Sequence, residues 1–148
     1  MILEHIIASC EAVGVNAFIT NSNEKIETQL NRLQREETSP TMLVSWDIDV
    51  TLAFDANGFL ENPQASIVAL LVSKPQDLTK EEREQTADEM ADLFQSFIKD
   101  LHGRMMKYQK QQGSPITNAS YKLVPKHGKG QHSGVLARWQ MRTDVTNC

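Results

Sequence analysis

The sequence predicts an α+β domain: a mostly antiparallel sheet of about four to five strands, covered by one long amphipathic helix and preceded by an N-terminal helix. Three observations predict it. Apolar residues recur at helical spacing over residues 2–13 and again, more strongly, over residues 87–105. Between and after these helices the period changes to two, over 42–54, 118–124 and 135–145. Turn residues separate the alternating runs, as hairpin connections require.

The elements follow in order. Ile2, Leu3, Ile6, Ile7, Cys10 and Val13 form one helical stripe, and Gly14 stands where a left-handed cap would end it. Residues 16–20 read as a short strand. From 21 to 40 polar residues dilute the spacing of Ile26, Leu30 and Leu33, so a helix and a mobile arm fit equally well. Met42, Val44, Trp46, Ile48, Val50, Leu52 and Phe54 then alternate with Leu43, Ser45, Asp47, Asp49, Thr51, Ala53 and Asp55. The expectation is one long half-buried strand whose first set faces inward. Ala56-Asn57-Gly58 supplies turn chemistry and Asn62-Pro63 closes the loop, giving a long connection over 55–64. Residues 65–73 are apolar on both faces, the mark of a central strand.

Thr79-Lys80-Glu81-Glu82 has the spacing of a capping box. Ala87, Met90, Ala91, Phe94, Phe97, Ile98, Leu101 and Met105 then form a stripe suited to covering a sheet, and Gly113-Ser114-Pro115 ends the region. In the last strand Val135, Ala137, Trp139, Met141 and Thr143 share one side, and the connection over 125–134 is polar and glycine-rich. No internal repeat or domain-sized linker interrupts the 148 residues, so one domain over 1–148 is expected.

The net charge of −4 argues against wholesale binding to nucleic acid, and no apolar run approaches the roughly 20 residues of a membrane span. The N-terminus lacks the basic region and long apolar run of a signal peptide. Cys10 and Cys148 suggest neither a disulfide framework nor a cysteine zinc site, so a reducing interior is expected.

Asp47-Ile48-Asp49-Val50-Thr51-Leu52 matches the DxDx[TV][LV] pattern of haloacid-dehalogenase-type phosphatases, in which one Asp is the nucleophile and the second the acid/base. That chemistry needs the strand to end at the first Asp, and the alternation runs on through Phe54. A downstream Lys motif and a paired acidic metal motif are also missing from the sequence. A metal-dependent phosphohydrolase using Asp47 and Asp49 is therefore the weakest of three readings. Neither catalytic nor metal-binding nor cofactor-binding residues are expected. Lys126, His127, Lys129 and His132 form a small cationic loop, whose two histidines supply at most half a metal site, so it is a candidate partner contact. Met90, Met105, Met106 and Met141 read as core packing more than as an adaptable binding surface, and His102 as a packing residue.

The stretches "SPTMLVSWDIDVTLAF", "ASIVALLVSK", "TKEEREQTADEMADLFQSFIKDLHGRM", "NASYKLVP" and "GVLARWQMRTDV" cover most of the chain from Ser39. In order and length they resemble the tail-terminator and tail-completion proteins of long-tailed bacteriophages. The resemblance implies a non-enzymatic virion or prophage component that forms a ring, commonly sixfold, on the last ring of a tail tube. It implies contacts with itself and with tail-tube or head-completion proteins, and a location in the cytoplasm of a bacterial host and then in the virion. The residue-level alternative is a small intracellular interaction domain. Neither reading requires nucleic acid, membrane or cofactor.

Overall fold

The computed structural model describes residues 2–20, 40–45, 49–61, 63–73, 79–108, 115–127 and 132–142. Among them are two helices, α1 (Ile2–Ala12) and α2 (Lys80–Tyr108), and six strands. The strands are β1 (Asn16–Thr20), β2 (Thr41–Ser45), β3 (Asp49–Thr51), β4 (Gln64–Ser73), β5 (Ile116–His127) and β6 (His132–Arg142). The sheet order is β1-β2-β4-β6-β5, with β3 pairing on β4 beyond the end of β2. β1 and β2 are parallel and the other pairs antiparallel, which gives the mostly antiparallel α+β architecture expected.

Each helix begins or ends where its sequence dictates. Gly14 takes a φ of 77°, and the Val15 and Gly14 amides donate to the carbonyls of Cys10 (2.8 Å) and Glu11 (3.2 Å). Two hydrogen bonds of these spans around a left-handed glycine make a Schellman cap, and Val15 is buried just beyond it. At the other helix the Glu82 amide donates to the Thr79 hydroxyl at 3.1 Å, the first half of the capping box.

The core lies between the helices and one face of the sheet. Phe94, Phe97, Leu101 and Met105 of α2 pack on Ile67, Ala69 and Leu71 of β4 and on Val135, Ala137, Trp139 and Met141 of β6. Ile6 and Cys10 of α1 join them with Met42 and Val44 of β2. The Trp139 ring stands 5.6 Å from that of Phe97, nearly edge-on, and 5.9 Å from that of Phe94, distances at which aromatic pairs attract. Burial pushes the Cys10 thiol up to about 12, with the Glu11 charge adding to the effect, so Cys10 acts as an apolar packing group. β4 is buried on its other face too, where Leu70 and Val72 meet Leu43.

Four expectations need correction. The strand expected over 42–54 is two described strands, β2 and β3. Their pairings with β4 step from Val44↔Ala69 to Asp49↔Ser66, an advance of five positions on one side against three on the other. Leu43, placed with the solvent set by alternation, is buried, because the second face of the sheet is also covered. Val50, placed inward, is about half exposed at 51%: period two fixes the face of a residue, not whether anything lies over that face. Finally, β5 runs from Ile116 through His127 and β6 begins at His132, paired with His127. The connection expected over 125–134 therefore shrinks to the four residues between those histidines. The arm over 21–40 lies outside the described residues, apart from Pro40, and so does Thr143.

Candidate functional site

The connection expected over 55–64 is also a strand extension. Beyond β3 the chain continues to a bridge between Phe54 and Leu60, and the Glu61 amide donates to the Ala53 carbonyl at 2.8 Å. At the tip the Gly58 amide donates to the Asp55 carbonyl (3.0 Å) and the Asp55 amide to the Phe59 carbonyl (2.9 Å). This is a tight turn closed by a glycine at φ 84°, a conformation that disfavours any side chain. The Asp55 carboxylate fixes it, because one oxygen, Oδ1, accepts from the amides of both Asn57 and Phe59 at 2.9 Å. A short polar side chain followed two residues on by Asn-Gly thus ends the loop early.

This hairpin has a composition that solvent alone does not explain. The described residues from 49 to 61 are all exposed, and five of them are large and apolar: Val50, Leu52 (60%), Phe54 (67%), Phe59 (71%) and Leu60 (53%). Val50, Leu52 and Phe54 alternate along one arm, and Leu60 faces Phe54 across the ladder. Its charged residues are Asp49, Asp55 and Glu61, and no lysine, arginine or histidine occurs anywhere from residue 36 to 73. A clustered apolar surface rimmed by charges of one sign marks an interaction surface, whereas isolated exposed apolar residues do not.

Two hollows flank β5. One, of about 370 Å³, lies between the C-terminal half of α2 and the start of β5, with Ile98, Ile116 and Ala119 as its apolar wall and Lys99 and His102 at its rim. A smaller one of about 230 Å³ opens across the middle of β5 and β6, where Lys122 and Arg138 flank Leu136. Tyr121 of β5 packs edge-on against Phe94 at 5.9 Å and accepts a hydrogen bond from Gln95, so it is anchored in spite of its exposure.

The residues singled out by sequence fare unequally. Asp49 is an exposed residue of β3, whereas Asp47 lies outside the described residues, so the two are not brought together as a described site. Among the described residues no three His, Cys, Asp or Glu side chains are grouped to hold a metal ion. His127 and His132 are partners across the last rung of the β5–β6 hairpin. His132, the first residue of β6, is buried, whereas a contact with a partner needs an exposed side chain. Lys129 lies outside the described residues, and Lys126 is a strand residue of β5. Met90, Met105 and Met141 are core residues as expected, whereas Met106 is about half exposed. His102 is partly buried at the rim of the larger hollow.

On α2, the Arg104 Nε donates to the Asp100 carboxylate at 2.6 Å, one turn apart. Burial pushes the Asp100 carboxyl up, but the Arg104 hydrogen bond and the charges of Arg104 and Lys107 outweigh it and hold the carboxyl below its ordinary value. No described helix is long and apolar enough to cross a membrane. In comparison with known proteins, no family model matches the chain and no curated protein matches it.

Proposed function

We propose that this chain is a non-enzymatic assembly protein of the tail-terminator type, which closes into a ring and caps or completes a phage tail tube. The observation that carries the reading is the acidic, apolar hairpin from Asp49 to Glu61, built on a rigid turn and held clear of the core. An arm of that kind contributes little to folding, and its exposed Phe54 and Phe59 are of the residue type enriched at the centres of protein interfaces. The order of elements supports the same reading, since it is the order that resembles the terminators. The working locations are the cytoplasm of a bacterial host and the finished virion.

The test is assembly. Light scattering and negative-stain images across a concentration series, with and without a phage tail-tube protein, should show closed rings that seat on tube ends. The double variant F54S/F59S should fold and fail to seat. A chain that never associates with itself or with a tube protein would leave the small interaction domain as the better account.

A further inference from the structure

We propose that the tip of the hairpin of one copy seats in the hollow between α2 and β5 of a second copy. The inference rests on the assembly reading and names the contact by which it would be made. Three observations point to this occupant.

The first is chemical match. The hairpin offers aromatic rings with carboxylates close in sequence, Phe54 beside Asp55 and Phe59 two residues before Glu61, without a cation among them. The hollow offers the converse: an apolar wall of Ile98, Ile116 and Ala119 with the Lys99 ammonium group at the rim. Apolar contact of a ring with the wall supplies affinity. Attraction between the Glu61 carboxylate and Lys99 sets the orientation.

The second is size. At about 370 Å³ the hollow is at the small end of the volumes that hold compact ligands, enough for a single aromatic side chain but not for a folded element. An arm that presents rings at a tight turn is a suitable shape to enter it.

The third is reach. The Thr117 hydroxyl donates to the Gln64 side-chain oxygen at 3.4 Å, which puts the start of β5, and with it the hollow, beside the base of the chain's own hairpin. From Gln64 to Gly58 the arm spans up to roughly 20 Å at about 3.3 Å per residue. Its tip therefore projects away from its own hollow, and a neighbouring copy is the molecule whose hollow it can enter.

The experiment is a complementation by sedimentation. Self-association of the full chain is measured beside that of Phe59→Ser, which blunts the tip, and of Ala119→Trp, which fills the hollow. Each variant alone should associate about thirtyfold more weakly, as loss of a central aromatic anchor does. An equimolar mixture of the two should form one-to-one pairs that grow no further, because the intact tip of Ala119→Trp can enter the intact hollow of Phe59→Ser while the reverse contact stays broken. Lys99→Glu, a surface change that leaves the fold alone, should weaken association, and the double change E61K/K99E in one chain should restore it. A full chain that stays monomeric at any concentration overturns the contact and leaves tube seating to decide the assembly reading. Association lost in Phe59→Ser but untouched by Ala119→Trp and Lys99→Glu also overturns the contact, while the hairpin keeps its role toward another partner. Association untouched by Phe59→Ser overturns both.

Discussion

Replacing Asp55 with alanine should loosen the hairpin tip without touching the stability of the domain. One carboxylate oxygen accepts from two amides at 2.9 Å, and each such bond in an exposed turn contributes about 0.5 to 1.5 kcal/mol net. Removing both, with partial replacement by water, should cost the local turn about 1 to 2 kcal/mol, the range seen when a capping side chain is lost. A change of that size alters an opening equilibrium by roughly 5- to 30-fold. Millisecond hydrogen exchange should therefore show the Asn57 and Phe59 amides exchanging faster by about that factor. Because no described residue from 49 to 61 is buried, the melting temperature should move by no more than about 2 °C. Unchanged exchange at those amides would mean that the carboxylate does not hold the turn. A fall of about 5 °C or more in melting temperature would mean that the hairpin is part of the cooperative core, and the reasoning from exposure would fail.

Three further outcomes test the rest of the fold. Phe97→Ala removes a fully buried ring that packs on both Phe94 and Trp139 and should cost about 3 to 5 kcal/mol, read as a lower denaturant midpoint with an unchanged slope. Gly134→Ala should destabilise by at least about 1 to 3 kcal/mol in the same assay, because its Cβ would meet the Leu71 carbonyl oxygen across the β4–β6 ladder and the strands would have to part. Asp100→Asn should flatten the acid limb of the stability profile slightly. The folded carboxyl titrates below its ordinary 3.8, so its contribution is present above that value and is lost as pH falls through the lowered one. Because the pair is partly exposed, denaturation at pH 7 and at pH 3 should show the variant and the parent differing by no more than about 0.5 kcal/mol at neutrality and converging in acid.

The sequence carried the core of this fold well because burial writes a period. The α2 stripe from Ala87 to Met105, the Thr79 cap, the Gly14 cap and the inward set of β6 were all legible for that reason. Strand direction writes none, which is why the parallel β1–β2 pair could not be read from alternation. The β5–β6 connection looked long because Pro125 reads as a strand breaker. An edge strand tolerates it, and β5 is at the edge of the sheet among the described strands. The candidate site was hidden for a different reason. Val50, Leu52 and Phe54 have the spacing of a core-facing strand, and only the three-dimensional arrangement shows that they are exposed. Hydrophobic pattern and interaction surface are the same signal until the fold separates them.

The step in register between β2 and β3 carries a consequence for how the hairpin can change length over time. From Val44 to Asp49 is five residues and from Ala69 back to Ser66 is three, so the surplus is two, an even number. The number need not be even. A paired residue takes the side of its partner, so Val50, opposite Ala65, stands on the same side of the sheet as Met42 and Val44. In β5 the surplus is one: Ile116 pairs with Met141 and Asn118 with Gln140, yet Ala119, opposite Trp139, is on the side of Ile116. Pairing with β4 thus holds the apolar side of the hairpin in place, and the segment before it can gain or lose a residue without turning Val50 over.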